Sequence, residues 1–335
     1  MKKRGFGVGS MYYGIGYGFS RADIGSALIE MAEDGTTTVY SGACDMGQGV
    51  LTVVSQVAAE GIGIEPDTIR VVPADTGSTP DAGPTSGSRA TFVQGVAVQK
   101  AAKEMCDQIL QMAAEMLHCQ KEDLKANRGQ IYKTGSEAPL ISVAKVASEI
   151  HRLGRRCASS GWHDITTKDV DPETSQGDAY ATYGWATQLA EVEVDTETGH
   201  VKVLRIVSAT DAGKAINPVA VEGQIQGGAA MGIGYALYEQ HIMEGGIPRT
   251  GSLAFYLVPT SMDVPEIECE IVEVADPKGP FGAKGVAEPA TIPTTPAILN
   301  AIFDAVGVRI TETPATPERV YFAIQEAKAR GEFVE

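Results

Sequence analysis

Glu288 is followed by proline and sits among mostly small residues, Gly282-Ala283-Lys284-Gly285-Val286-Ala287 before it and Pro289-Ala290 after it. A carboxylate among small neutral side chains is a candidate general base, able to take a proton from a group within hydrogen-bond reach. The proline biases Glu288 toward an extended backbone. That predicts a carboxylate aimed by the chain rather than carried on a helix. Read alone, a Glu-Pro pair is more often a solvated loop. Two other stretches bring backbone donors to the start of a helix. In Asp45-Met46-Gly47-Gln48-Gly49 the glycines let N–H groups approach a ligand, and the helix end favours an anion. In Pro84-Thr85-Ser86-Gly87-Ser88-Arg89-Ala90-Thr91 hydroxyls, free N–H groups and a guanidinium converge. That set suits a phosphate, which arginine can grip with two parallel bonds. The plain alternatives are a tight turn for the first and an ordinary helix cap for the second. A fourth stretch, Gly223-Gln224-Ile225-Gln226-Gly227-Gly228, reads mainly as a closely packed core helix.

Recognisable elements must carry these residues. In residues 1–20, Gly5, Gly7 and Gly9 alternate with larger side chains, as do Gly14, Gly16 and Gly18. That period suits an extended chain lying close against something flat or bulky. No set of these glycines completes GxGxxG, and no amphipathic helix follows at once, so a dinucleotide fold is excluded. Alternation over 26–41 about Asp34-Gly35 predicts a hairpin, and a helix is expected after Gly49. A short strand at 69–73, a polar loop over 74–88 and a long helix over about 90–117 follow. Residues 120–180 are polar and less regular, with a helix near 141–153. A second hairpin spans about 190–206, and a glycine- and alanine-rich helix covers 219–238. Thr295-Pro296 opens a helix that Gly307 closes, and Thr316-Pro317 opens the last one. Val308, Ile310 and Glu312 predict a strand between those helices.

The bulk numbers bound the function. The 335 residues allow about two domains. The apolar fraction of 43% is that of a globular protein. A net charge of −16 argues against a nucleic-acid partner or an anionic membrane surface. No apolar run is long enough to span a bilayer, and the start of the chain lacks the apolar core of a signal peptide. The cytoplasm is the default location. The five cysteines, Cys44, Cys106, Cys119, Cys157 and Cys269, form no CxxC pair and the five histidines no HExxH. They read as small buried thiols, with no metal ligands expected in this chain.

Taken together and in this order, the MGQG stretch, PTSGSRAT, Asn217-Pro218 running to Gly223-Gln224, and residues 282–320 resemble the molybdopterin-binding C-terminal part of the xanthine dehydrogenase and aldehyde oxidase family. Within it the chain is most similar to the smaller molybdopterin chain of split bacterial hydroxylases of the nicotinate dehydrogenase kind. The way the glycine-rich start enters structure at once would suit such a chain, split from a longer ancestor.

The resemblance implies an α+β fold of two mixed α/β lobes, 1–155 and 156–335. It implies hydroxylation of a heteroaromatic, nicotinate- or purine-like substrate with water as oxygen donor. Glu288 would be the catalytic base. Gly47, Gln48 and Gly49 would contact the pterin, Thr85, Ser88, Arg89 and Thr91 the pyrophosphate and nucleotide tail, and Gln224 would also bind the cofactor. Tyr13 and Tyr17 would face the substrate. The cofactor implied is molybdenum–molybdopterin cytosine dinucleotide with a terminal sulfido or selenido ligand. A larger molybdopterin subunit, an iron–sulfur subunit and an FAD subunit would complete a hetero-oligomer. An aldehyde-oxidising member of the family and a non-catalytic cofactor-binding or maturation protein are the alternatives. Ala90 stands where some relatives carry a hydroxyl and Met231 where many carry glutamine, so each loses one cofactor contact.

Overall fold

A computed structural model describes residues 1–333. In chain order the elements are β1 (Lys2–Ile15), β2 (Ile24–Met31), β3 (Thr37–Ser41), α1 (Val50–Ile62), β4 (Ile69–Pro73), α2 (Gly95–Leu117), β5 (Leu124–Asn127), β6 (Gln130–Lys133), β7 (Pro139–Ser142), α3 (Val143–Arg152) and β8 (Ala158–Asp164). The second half adds β9 (Thr182–Asp195), β10 (Val201–Asp211), α4 (Pro218–Leu237), β11 (Met243–Glu244), β12 (Ile247–Pro248), β13 (Glu266–Val272), α5 (Glu288–Thr291), α6 (Thr294–Val306) and α7 (Pro317–Ala329).

Two mixed four-stranded sheets, in the orders β4-β3-β2-β8 and β1-β9-β10-β13, make this an α+β protein. The first packs α1, α2 and α3 over Ile29, Met31 and Val39, with Ile62, Met105 and Ile109 filling the layer between. The second packs α4, α6 and α7 over Val192, Val194 and Ile206, closed by Ile233, Ile302 and Ile324. A third, small cluster of Ile15, Phe92, Val93 and Ile165 has Tyr13 packed against it.

The sheets exchange strands across the expected boundary at residue 155. β1 pairs with β9 along its whole length, while β8 pairs with β2. The reason for the first lies in the alternating glycines. A Cβ on Gly5, Gly7 or Gly9 would stand 2.2–2.3 Å from the carbonyl oxygens of Ala301, Ala297 and Pro293 in turn. Every second residue of a strand recurs at about 6.6 Å, and every fourth residue of a helix at about 6 Å. A glycine row of period two therefore matches an alanine row of period four, and β1 lies directly on α6.

Both hairpins, the 69–73 strand and the helices after Gly49, Asn217 and Thr316 occur where expected. Asn217 and Thr316 cap their helices through side-chain oxygens that accept from Ala220 N–H and Arg319 N–H. Three expectations change. The long helix opens with a wide π turn, Ala90–Gln94. The helix expected from Thr295 starts at Thr294, with Pro293 as cap. Residues 308–312 are not a strand; Val308 is buried in the second core, so the alternation there records packing rather than pairing. The irregular 120–180 stretch contains a small separate sheet, β5-β6-β7. Among the described residues no helix is long and apolar enough to cross a membrane.

Candidate functional site

The segment that carries Glu288 is stitched to the end of β10. Lys214 N–H donates to Gly282 O and Lys284 N–H to Ala212 O. The Lys284 ammonium then reaches Asp211 Oδ2 at 2.7 Å and Tyr183 O at 3.0 Å. Both side chains of this ion pair are nearly buried, 9% and 7% exposed. A buried pair like this resists separation, since removing either partner strands a charge.

From this anchor the chain reaches Glu288, which is the first residue of the short helix α5. The extended backbone expected from Pro289 is not what forms. Proline is well tolerated in the first turn of a helix, where its missing N–H is no loss, and here it occupies that turn. The carboxylate is aimed by other means. Its Oε1 accepts the Gly87 N–H at 3.0 Å, and its Oε2 accepts the Ser88 hydroxyl. The same hydroxyl accepts the N–H groups of Ala287 and Glu288.

The 84–89 loop is held in turn from below. Arg89 is 2% exposed and pairs with Asp23, 1% exposed. Its other N–H groups go to the carbonyls of Ala82, Pro84 and Ile24. With four of its five donors committed inside the protein, Arg89 is not placed to grip a phosphate. Ser88 is not either, its hydroxyl being saturated. The side chains of these two residues instead hold the loop and the Glu288 carboxylate. Thr85 accepts Cys44 N–H at 3.2 Å, which ties this loop to the MGQG loop, and keeps its own hydroxyl proton. Thr91 is half-buried in the π turn. Gln94, at the end of that turn, crosslinks to Ser26 and Ser41.

The MGQG loop answers its own helix end. Asp45 accepts the N–H groups of Gly47 at 2.8 Å and of Gly49 and Leu51 at 3.3 Å. Burial works against this carboxylate, yet the N–H groups of Gly47, Leu51, Gly49 and Val50 outweigh it and hold its pKa below the usual range. The positive end of α1 is thus already paired with an anion, contrary to the expected anion site. Gln48 folds back, its amide donating to Cys44 O at 2.8 Å. Against the expected buried thiols, Cys44 is exposed, Cys106, Cys119 and Cys269 are half-buried and Cys157 alone is buried, and all five are unpaired.

Both tyrosines lie at this junction. Burial first, and then the charge of Glu288, push the Tyr13 phenol up to about 12. The Tyr17 hydroxyl meets that of Ser86, and its ring lies 5.7 Å from the Arg89 guanidinium. Gln224 lies one turn before Gly228, where α4 crosses α5 against Ala290 and Thr291. Asn217, the cap of α4, donates to Gln56 of α1. The PTSGSRAT loop thus touches Glu288 directly, while the MGQG loop is tied to that loop through Thr85 and α4 packs against α5 at Gly228. Sequence reading missed Asp23, Asp211 and the roles of Lys284 and Ser88, because each acts through a partner far along the chain.

The junction suits a flat polar ring better than its anionic tail. Gly47 and Gly49 have φ of 106° and 77°, and a Cβ on either would meet nothing within 4 Å; the same openness holds at Gly223 and Gly227 on α4. A mid-helix glycine costs about 1 kcal/mol relative to alanine, so two that no neighbour approaches leave their outer face for a ligand or another chain. Gln48 and Gln224 flank these open positions with amide groups. Met231 is half exposed and offers no hydrogen bond. Among the described residues no three His, Cys, Asp or Glu side chains gather as a metal site.

A family model described as a molybdopterin cofactor-binding domain matches residues 1–265. The chain is 33% identical over 97% of its length to the 6-hydroxypseudooxynicotine dehydrogenase complex subunit gamma of Paenarthrobacter nicotinovorans, covering 40% of that protein. It is 33% identical over 95% of its length to the putative xanthine dehydrogenase molybdenum-binding subunit of Escherichia coli K12, covering 42% of it. Its fold matches quinoline 2-oxidoreductase from Pseudomonas putida 86 with a TM-score of 0.85 and 28% identity, over 97% of this chain and 42% of that one. Mixed sheets around a glycine-lined junction thus define a molybdopterin-binding domain. The chain belongs to the xanthine dehydrogenase family, as part of its molybdenum-binding portion. It spans about two fifths of the length of these relatives.

Proposed function

We propose that this chain is the Glu288-bearing part of a molybdenum hydroxylase acting on a flat heteroaromatic substrate. The observation that carries this reading is the carboxylate of Glu288, gripped at both oxygens by the glycine- and hydroxyl-rich loop at 84–91. A bound molybdopterin would supply a Lewis acid and a two-electron acceptor. Gly47, Gly49, Gln48 and Gln224 would hold the pterin by close backbone approach and amide contacts, leaving Thr85 and Thr91 for the tail. The cytosine dinucleotide form and a sulfido or selenido ligand belong to the same proposal. Glu288 takes up the proton released as a water-derived nucleophile forms. Tyr13 stays protonated at neutral pH and keeps a donor beside that carboxylate. Tyr17 offers a ring face to a planar substrate. A nicotinate- or purine-like ring is the substrate proposed, and the relatives named above include a 6-hydroxypseudooxynicotine dehydrogenase subunit and a putative xanthine dehydrogenase subunit.

The remainder of the active site lies outside this chain in the proposal, on a larger molybdopterin subunit, with iron–sulfur and FAD subunits carrying electrons away in the cytoplasm. Leu253, Phe255, Leu257, Val258 and Met262 are all largely exposed along one stretch. So many exposed apolar side chains in one segment support a partner surface there.

Purification of the tagged chain from its host tests the reading. The expected result is one molybdenum per chain, a larger co-purifying partner and oxidation of nicotinate or a purine. A stable metal-free monomer would contradict it, and turnover of aldehydes alone would change the substrate class.

A further inference from the structure

A serine hydroxyl has one proton to donate and two lone pairs to accept with. At Ser88 all three are in use. The proton goes to Glu288 Oε2, and the lone pairs receive Ala287 N–H at 3.3 Å and Glu288 N–H at 3.2 Å. The residue is held there in the left-handed region, with φ 52°. Glycine reaches that region without strain and serine does not. Its neighbour Gly87, with φ 64°, is already glycine. The backbone at 88 therefore calls for glycine, and the hydroxyl is what serine adds. An unfavourable conformation kept for one side-chain group points to a role for that group.

We propose that Ser88 is the positioning residue of Glu288 rather than a ligand of the cofactor. Gly87 N–H binds one carboxylate oxygen and the Ser88 hydroxyl the other, which fixes the carboxylate plane. The hydroxyl also fastens the first backbone N–H groups of α5, so side chain and backbone of Glu288 are set by one atom. The loop cannot drift away: a Cβ on Gly285 would stand 1.6 Å from Ser88 O, so the two backbones are in direct contact. The inference rests on Glu288 being the base.

The test uses the purified holoenzyme complex with Ser88→Gly and Ser88→Ala, each alone and combined with Glu288→Gln. Glycine suits the backbone at 88, so folding is retained when the hydroxyl is lost. Molybdenum content, steady-state kinetics and single-turnover substrate oxidation are measured. Misplacing a catalytic group by an ångström can cost on the order of 100-fold. Turnover per molybdenum should fall about 10- to 100-fold, with KM and molybdenum content unchanged. In the Glu288→Gln background the Ser88 changes should have no further effect, because the group they position is gone. Loss of molybdenum in step with activity, at constant turnover per molybdenum, would make Ser88 a cofactor ligand and overturn the proposal. So would losses that multiply in the double variants. If Glu288→Gln alone keeps wild-type turnover, the base assignment fails and this inference with it; failure of the Ser88 variants alone leaves that assignment standing.

Discussion

The loops at 44–51 and 84–91 look alike in sequence: glycines, hydroxyl or amide side chains, then a helix. Each presents donors to a carboxylate, three backbone N–H groups in the first loop and one N–H with a hydroxyl in the second, but to carboxylates of different kinds. The first binds Asp45, a few residues away, and so completes its own turn. The second binds Glu288, about 200 residues away, and so fixes a group that can do chemistry. A glycine-rich helix start supplies donors; the carboxylate that reaches them decides whether the result is a local cap or a mount for a distant side chain.

The largest effect separating the two loops should come from the ion pair beneath the second. Arg89→Met leaves Asp23 buried without its partner, which costs about 3–5 kcal/mol. Thermal unfolding of the purified protein should show it as a marked loss of stability, and a change within error would mean the loop has another support. The first loop should respond more mildly. Asp45→Ala removes a helix cap, a loss of about 0.5–2 kcal/mol at neutral pH. The folded-state pKa of Asp45 is depressed, so its stabilisation is present above its unfolded value and is lost as pH falls through the folded one. The gap between variant and wild type should therefore close as pH drops below about 4. A gap that persists in acid would show that packing, not charge, is what Asp45 contributes.

The same contrast explains what could be read from sequence. Asp34-Gly35, Thr316-Pro317 and Gly307 are local signals, and the turns and helix ends they mark are found in place. The glycine row in β1 announced a close approach, although not that its partner would be α6, nearly 300 residues on. Glu288 and its neighbouring motifs were legible as a set. Their internal wiring was not: Arg89 finds Asp23, Lys284 finds Asp211 and Ser88 finds Glu288 only after the chain has folded back on itself. A guanidinium in a hydroxyl-rich loop suits a phosphate or a buried aspartate equally well, and burial alone decides between them.

Turnover per bound molybdenum in Glu288→Gln is the most direct measurement of the central claim. General-base catalysis contributes about 10²–10⁴-fold, and the amide keeps the shape of the side chain while losing its basicity. The predicted result is a fall of that size with molybdenum content unchanged. Wild-type turnover in the fully loaded variant would show that another group takes the proton.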